Sequence, residues 1–227
     1  MTMRRPLPRL TAGIVAVVGA SMLPHLAAQS TEGGRQQPAM LIDDFESGTL
    51  TNWSVTRNGA GSWFIYSNGH TAPEPSRSDP NVPFSVPDPP QGKFAAVTDM
   101  NGPGARILYR DVRLDGRYLL RLTVFYVNTG EFGNAETLAY DVNETNQQFR
   151  IDLVRPSAPA DSLAPGDVLV NIFHTSPGDP DLRQPGDVTF DLSRWQGQTV
   201  RLRFASVDNR NPLRVGVDNI RLEPMAK

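Results

Sequence analysis

The chain has 227 residues, with 22 basic and 24 acidic side chains and a formal net charge of −2. It lacks cysteine entirely, which excludes disulfides, thiolate metal sites and a cysteine nucleophile. No basic run stands out, so nucleic acid and anionic membrane surfaces are not expected partners.

Taken in chain order, Arg4, Arg5 and Arg9 form a positive front, followed by an apolar run from Leu10 to Leu23 and the small-residue stretch Leu26-Ala-Ala28. This pattern predicts a signal peptide over 1–28, removed on export, and it is short for a membrane span. Loss of its three arginines leaves 19 basic against 24 acidic residues. The expected location is therefore secreted, periplasmic or at the cell surface, with no membrane contact once the signal is cleaved. Residues 29–40, "QSTEGGRQQPAM", read as a flexible lead-in.

From Leu41, short alternating runs recur between Gly, Pro, Asn and Asp. They predict strands near 41–46, 51–57, 62–67, 93–98, 106–114, 117–127, 148–154, 167–173, 187–192, 199–207 and 213–222. No segment carries a sustained 3.6-residue pattern. The expected fold is all-β, one β-sandwich over 41–224 with about ten short antiparallel strands. Residues 69–92 hold seven prolines and predict a long irregular loop. Residues 155–166, "RPSAPADSLAPG", predict a second. The two Val-Asp-Asn triplets, 207–209 and 217–219, are expected to flank one hairpin.

Four stretches carry a resemblance: "DDFESGTLTNWSV" (43–55), "PPQGKFAAVTDMNGPGARILYRDVRL" (89–114), "DLSRWQGQTVRLRFASVDN" (191–209) and "VGVDNIRL" (215–222). Together they resemble secreted bacterial jelly-roll proteins of the galactose-binding-like and carbohydrate-binding-module-like superfamily. The resemblance implies a jelly roll and, in many members, a structural calcium ion where the first and last strands meet. The matching positions here are Asp44, Glu46 and Asp218. Calcium takes oxygen ligands, and carboxylates gathered at one sheet edge repel without a cation. On a strand Asp44 and Glu46 share a face. The alternatives are that Asp44 and Asp218 accept hydrogen bonds from turns, that Glu46 is solvated, or that these acids have no specific role.

The resemblance does not fix activity. His70 and His174 stand beside predicted loops, and no nucleophile elbow or metalloprotease motif occurs. Asp141, Asn143 and Thr145 begin a faint calcium-loop pattern that lacks its glycine, and they read as a turn. Sugar rings stack on aromatic faces while their hydroxyls bond polar side chains. Trp63, Phe64 and Tyr66 run into the proline-rich loop, with Phe64 and Tyr66 on one strand face and Trp63 on the other. Tyr126 and Asn128, with the loop at 128–141, are expected to line a concave face. The binding candidates are thus Trp63, Tyr66, Tyr126 and Asn128, with Trp53 and Trp195 placed in the core. The expected function is a non-catalytic module that binds extracellular glycan or mediates cell-surface interaction. The alternatives are a structural envelope or matrix protein and a polysaccharide-acting enzyme.

Overall fold

A computed structural model describes residues 39–67, 86–98 and 102–226. The expected signal peptide, most of the expected lead-in, His70 and most of the proline-rich stretch 69–92 lie outside them. The described residues form eleven strands: β1 (Met40–Asp43), β2 (Ser54–Gly59), β3 (Trp63–Ser67), β4 (Phe94–Thr98), β5 (Gly104–Arg113), β6 (Tyr118–Asn128), β7 (Gln148–Val154), β8 (Val168–His174), β9 (Leu182–Asp191), β10 (Thr199–Asp208) and β11 (Leu213–Pro224). One short 3-10 turn, Ser193–Trp195, interrupts them.

The strands form two antiparallel sheets. One has the order β3-β4-β11-β6-β9, with β1 also paired to β11; the other has the order β2-β5-β10-β7-β8. The chain shuttles between the two sheets, and their apolar faces share one core. This is the predicted all-β sandwich of jelly-roll type. The core follows from the period of two. Leu108 and Val112 of β5, Ile151 and Leu153 of β7, and Leu202 and Phe204 of β10 point inward, toward Leu120, Leu122, Val215 and Val217. Trp53 and Trp63 both lean on Phe204, at 5.7 and 6.4 Å between ring centroids. Trp195 is buried against Phe190, so it and Trp53 sit in the core as expected.

Two sequence readings need correction. β1 ends at Asp43, because Phe45 takes a left-handed φ of 57° and turns the chain. Asp44 and Glu46 therefore lie in a turn and not on one strand face. The Val-Asp-Asn triplets do not flank a hairpin, since β10 and β11 belong to opposite sheets and the link between them arches across the sandwich.

At one end of the sandwich a buried ion pair, Arg106 with Asp208 (2.9 Å), sits between the sheets. Asp208 also accepts the backbone N–H of Gly104, and burial pushes its carboxyl up. Gly61, at φ +74°, leaves room for the Arg106 side chain, whose Nε would stand 2.4 Å from an added Cβ.

Candidate functional site

The outward positions of the β2-β5-β10-β7-β8 sheet form rows. Asn58 neighbours Ala105, which neighbours Val207; Thr56 neighbours Ile107, which neighbours Ala205 and then Arg150. Two loops lie over these rows, 129–147 and 155–167. Between them are two adjoining cavities of about 570 and 360 Å³. Glu136, Thr137, Arg150, Asp161, Leu163 and Val168 line the larger; Thr56, Arg57, Asn58, Ile107, Thr137 and Leu138 help line the smaller. Thr137 and Asp161 border both, so the two make one trough. Its size falls in the range of small-molecule sites. Its floor is apolar, through Ala105 and Ile107, and its sides mix amide, hydroxyl, guanidinium and carboxylate groups.

Both walls are fixed from below. Arg201 donates to the carbonyls of Pro156 (2.6 Å) and Ala158 (3.0 Å). Arg203 donates to those of Ala160 and Ser162, both at 2.8 Å. Alternate carbonyls of one proline-rich strap, itself folded into successive turns, thus meet two guanidiniums on β10. Arg201 also stacks over Tyr109, 4.5 Å from the ring centroid. The other wall hangs on amides. Asn146 donates to the carbonyls of Thr137 and Ala139, and Gln148 to that of Ala135. A trough with both walls bonded to the sheet is largely preformed, which lowers the cost of ordering on binding.

Charge beneath the trough centres on Asp152, buried on β7. Its carboxyl is lowered: burial raises it, but hydrogen bonds and charge from Arg150 and Arg203 outweigh that. Burial depresses the Arg203 guanidinium, with Asp152 opposing. His174, on the neighbouring strand, is lowered by burial and then by Arg150, and its Nε2 lies 3.2 Å from Oε1 of Gln148.

The four binding candidates do not gather here. Trp63 is buried between the sheets, with Nε1 donating to the carbonyl of Arg106. Tyr66 and Phe64 do share the opposite strand face, but there they pack with Val86, Ala95, Val97, Phe125 and Val127 in a second apolar cluster. Burial, then the charge of Asp88, raises the Tyr66 phenol. Tyr126 faces inward against Phe132, Phe149 and Phe173. Asn128 holds the loop that follows it, its Oδ1 accepting from Gly130 N and Gln147 Nε2. None of the three aromatic rings presents a face to the trough. Of the loop 128–141, residues 136–139 form one wall of the trough. Missed were Thr56, Asn58, Ile107, Arg150 and the strap, which only the sheet topology brings together.

Asp44, Glu46 and Asp218 lie at the corner of β1 and β11. Oδ1 of Asp44 accepts Glu46 N (3.2 Å), and Oε1 of Glu46 accepts Lys93 N (2.8 Å) and Phe94 N (2.9 Å). Asp218 is fully buried and accepts Gln91 N (3.2 Å) and Asn219 N (2.6 Å). Burial pushes the Asp218 carboxyl up to about 7; these two N–H bonds oppose the shift, and Glu46 and Asp44 add to it. The oxygen donors suit calcium in kind. Among the described residues, however, no three His, Asp or Glu side chains stand together as a metal-holding set. All three acids accept backbone N–H groups. Asp43, which the sequence reading passed over, accepts Phe45 N and Trp53 Nε1, both at 2.8 Å.

No protein-family model matches the chain, and a search of curated proteins returns no match. Among solved structures, TmCBM61 in complex with β-1,4-galactotriose is similar at a TM-score of 0.48 and 11% identity, over 83% of this chain and 100% of that one. A cleaved adhesin domain of Lys-gingipain from Porphyromonas gingivalis is similar at 0.47 and 9%, over 81% and 97%. A family 11 carbohydrate-binding module from Clostridium thermocellum, in complex with a β-1,3-1,4-mixed-linked tetrasaccharide, is similar at 0.40 and 12%, over 83% and 97%.

Proposed function

We propose that this protein is a non-catalytic, exported module that binds extracellular glycan in the trough over the β2-β5-β10-β7-β8 sheet. The observation that carries the reading is the trough itself, two adjoining cavities with an apolar floor and mixed polar sides. C–H faces of sugars suit the floor at Ile107 and Ala105, and hydroxyls suit Asn58, Thr56 and Thr137. Among the described residues the lining contains no Ser, Cys, His or Lys. Two carboxylates, Glu136 and Asp161, do line it, so the enzyme alternative is tested directly. Export rests on the N-terminal pattern alone.

The proposal includes a calcium ion at Asp44, Glu46 and Asp218, which would require Asp44 and Glu46 to leave their present N–H partners and close on Asp218. The ion would tie β1 to β11. It would take no part in sugar binding.

The test is a glycan array followed by calorimetry. A shallow site buries little of its ligand and association itself is costly, so a Kd of roughly 10 µM to 1 mM is expected. Asn58→Ala should weaken binding by about fivefold to tenfold, the worth of one hydrogen bond. Absence of binding across bacterial and plant polysaccharides would reject the reading, and reducing ends that accumulate with time would make the protein an enzyme. A structural role in an envelope or matrix is favoured by one feature: β2 is an edge strand exposed along its whole length, with Val55 in the open.

A further inference from the structure

The charge under the trough does not balance. Asp152 accepts from two guanidiniums. Arg150 gives Nε to Oδ2 and Nη2 to Oδ1, both at 2.8 Å. Arg203 gives Nε (3.2 Å) and Nη2 (2.8 Å) to Oδ2. Asn171 adds a bond to Oδ1 at 2.9 Å, so the carboxylate is fully engaged. Within this buried cluster one negative charge therefore serves two positive ones, and exposed Asp161 adds only the weakest of the influences on Arg203.

The positive charge of this cluster reaches the trough at a single place. The Arg203 side chain is fully buried, and its Nη1 hydrogens are spent on the Ala160 and Ser162 carbonyls. Arg150 also lines the larger cavity, with its side chain 12% exposed. A guanidinium carries five N–H donors in a planar fork, and the Nη1 pair of Arg150 has no acceptor among the described residues. The acids that share the cavity, Glu136 and Asp161, are exposed at its rim, and neither is within salt-bridge distance of a basic side chain among the described residues. Water and salt screen them far more than they screen the buried cluster. His174 is lowered by burial and adds no charge near neutral pH.

We propose, on the reading that the trough binds glycan, that its ligand is a carboxylated glycan, a polymer containing uronic acid, whose carboxylate pairs with the Nη1 edge of Arg150. A carboxylate matches the guanidinium fork in shape as well as in charge. It would also supply the negative charge that Asp152 cannot share further. Asp152 and Arg203 act as positioning residues, holding the Arg150 fork and the strap in one network.

The test uses oligogalacturonate and its methyl ester as paired probes, by calorimetry on the whole protein. The acid should bind roughly tenfold or more tightly than the ester, as expected for a hydrogen bond to a charged group. The preference should shrink at about 0.5 M salt. Arg150→Gln should abolish it, and folding should survive because Asp152 then pairs one-to-one with Arg203. Should that variant fail to fold, the salt response of the wild type and the double variant Glu136→Gln/Asp161→Asn decide, the latter expected to bind the acid more tightly. Equal, salt-insensitive binding of acid and ester overturns the inference and leaves the glycan reading standing. Binding of neutral glycans with neither probe bound does the same. Failure to bind any glycan overturns both.

Discussion

Asp43 shows how much one side chain settles. Its two oxygens accept Phe45 N and Trp53 Nε1, fixing the left-handed turn at Phe45 and the ring that leans on Phe204. Asp43→Ala should leave a buried indole N–H unpaired and release a strained turn. The expected cost is about 2 kcal/mol, read as a lower denaturation midpoint with an unchanged slope. In "DDFE" the sequence offers three acids, and nothing in their spacing tells which of them turns inward. That depends on the φ of Phe45, a conformation no pattern of apolar residues predicts. Asp218 gives a second prediction, with a definite sign. Its folded pKa of about 7 lies above the ordinary 3.8. Below the lower value both states are protonated and the group's contribution is fully present. As pH rises toward 7 the unfolded chain ionises first, so that contribution is lost. Thermal melts in chelator should therefore show stability falling across this window, and Asp218→Asn should flatten the slope. If calcium binds, it should raise the wild-type melting temperature, by about 2.7 kcal/mol of stability at a hundredfold excess over Kd, and leave Asp218→Asn unmoved. Equal melts with calcium and with chelator would reject the ion.

The strands were the legible elements, because alternation survives in a sheet with one face in the core. β7 was read to the residue, and β9 was read five residues short at its start because Pro185 hides the strand. An edge strand tolerates proline where its N–H side is unpaired. The strap was legible as a loop but not as a wall. Prolines at 156, 159 and 165 forbid a helix, yet only the position of Arg201 and Arg203 on β10 shows that its alternate carbonyls are bonded down. Removing one arginine should free part of it. Arg203→Met should open new cleavage sites for a non-specific protease between residues 157 and 164, mapped by mass spectrometry before global unfolding. A strap that resists cleavage in this variant would mean that its prolines hold it unaided. On the other sheet, Gly216 of β11 stands opposite Phe125 of β6, and a Cβ there would meet the ring at 2.0 Å. Gly216→Ala should cost roughly 1–3 kcal/mol, the usual range for overpacking, and Phe125→Leu in the same chain should recover part of it.

At the scale of the whole molecule, what the sequence withheld is which sheet face each loop covers. Alternation correctly put Trp63 on one face of β3 and Tyr66 on the other, but neither face proved open: one is the core and the other lies in the Val86 cluster. The trough takes Asn58, Ile107, Arg150 and Asp161 from four separate stretches, and strand order alone joins them. The same interleaving has a consequence for unfolding. β11 pairs with β1, β4 and β6, and β10 pairs with β5 and β7, so neither sheet is built from one continuous half of the chain. Each sheet loses the cover of its buried apolar face once the other is lost. Unfolding should therefore be a single transition, as small one-core domains usually show. Two independent signals can test this. Far-UV circular dichroism follows the strands. Tryptophan fluorescence follows Trp53 and Trp63, which meet at Phe204 between the sheets, and Trp195, beside Phe190. The two denaturation curves should superimpose in midpoint and slope. A fluorescence change well ahead of the dichroism change would show that the sheets part while their strands persist, and the single shared core described here would then be two.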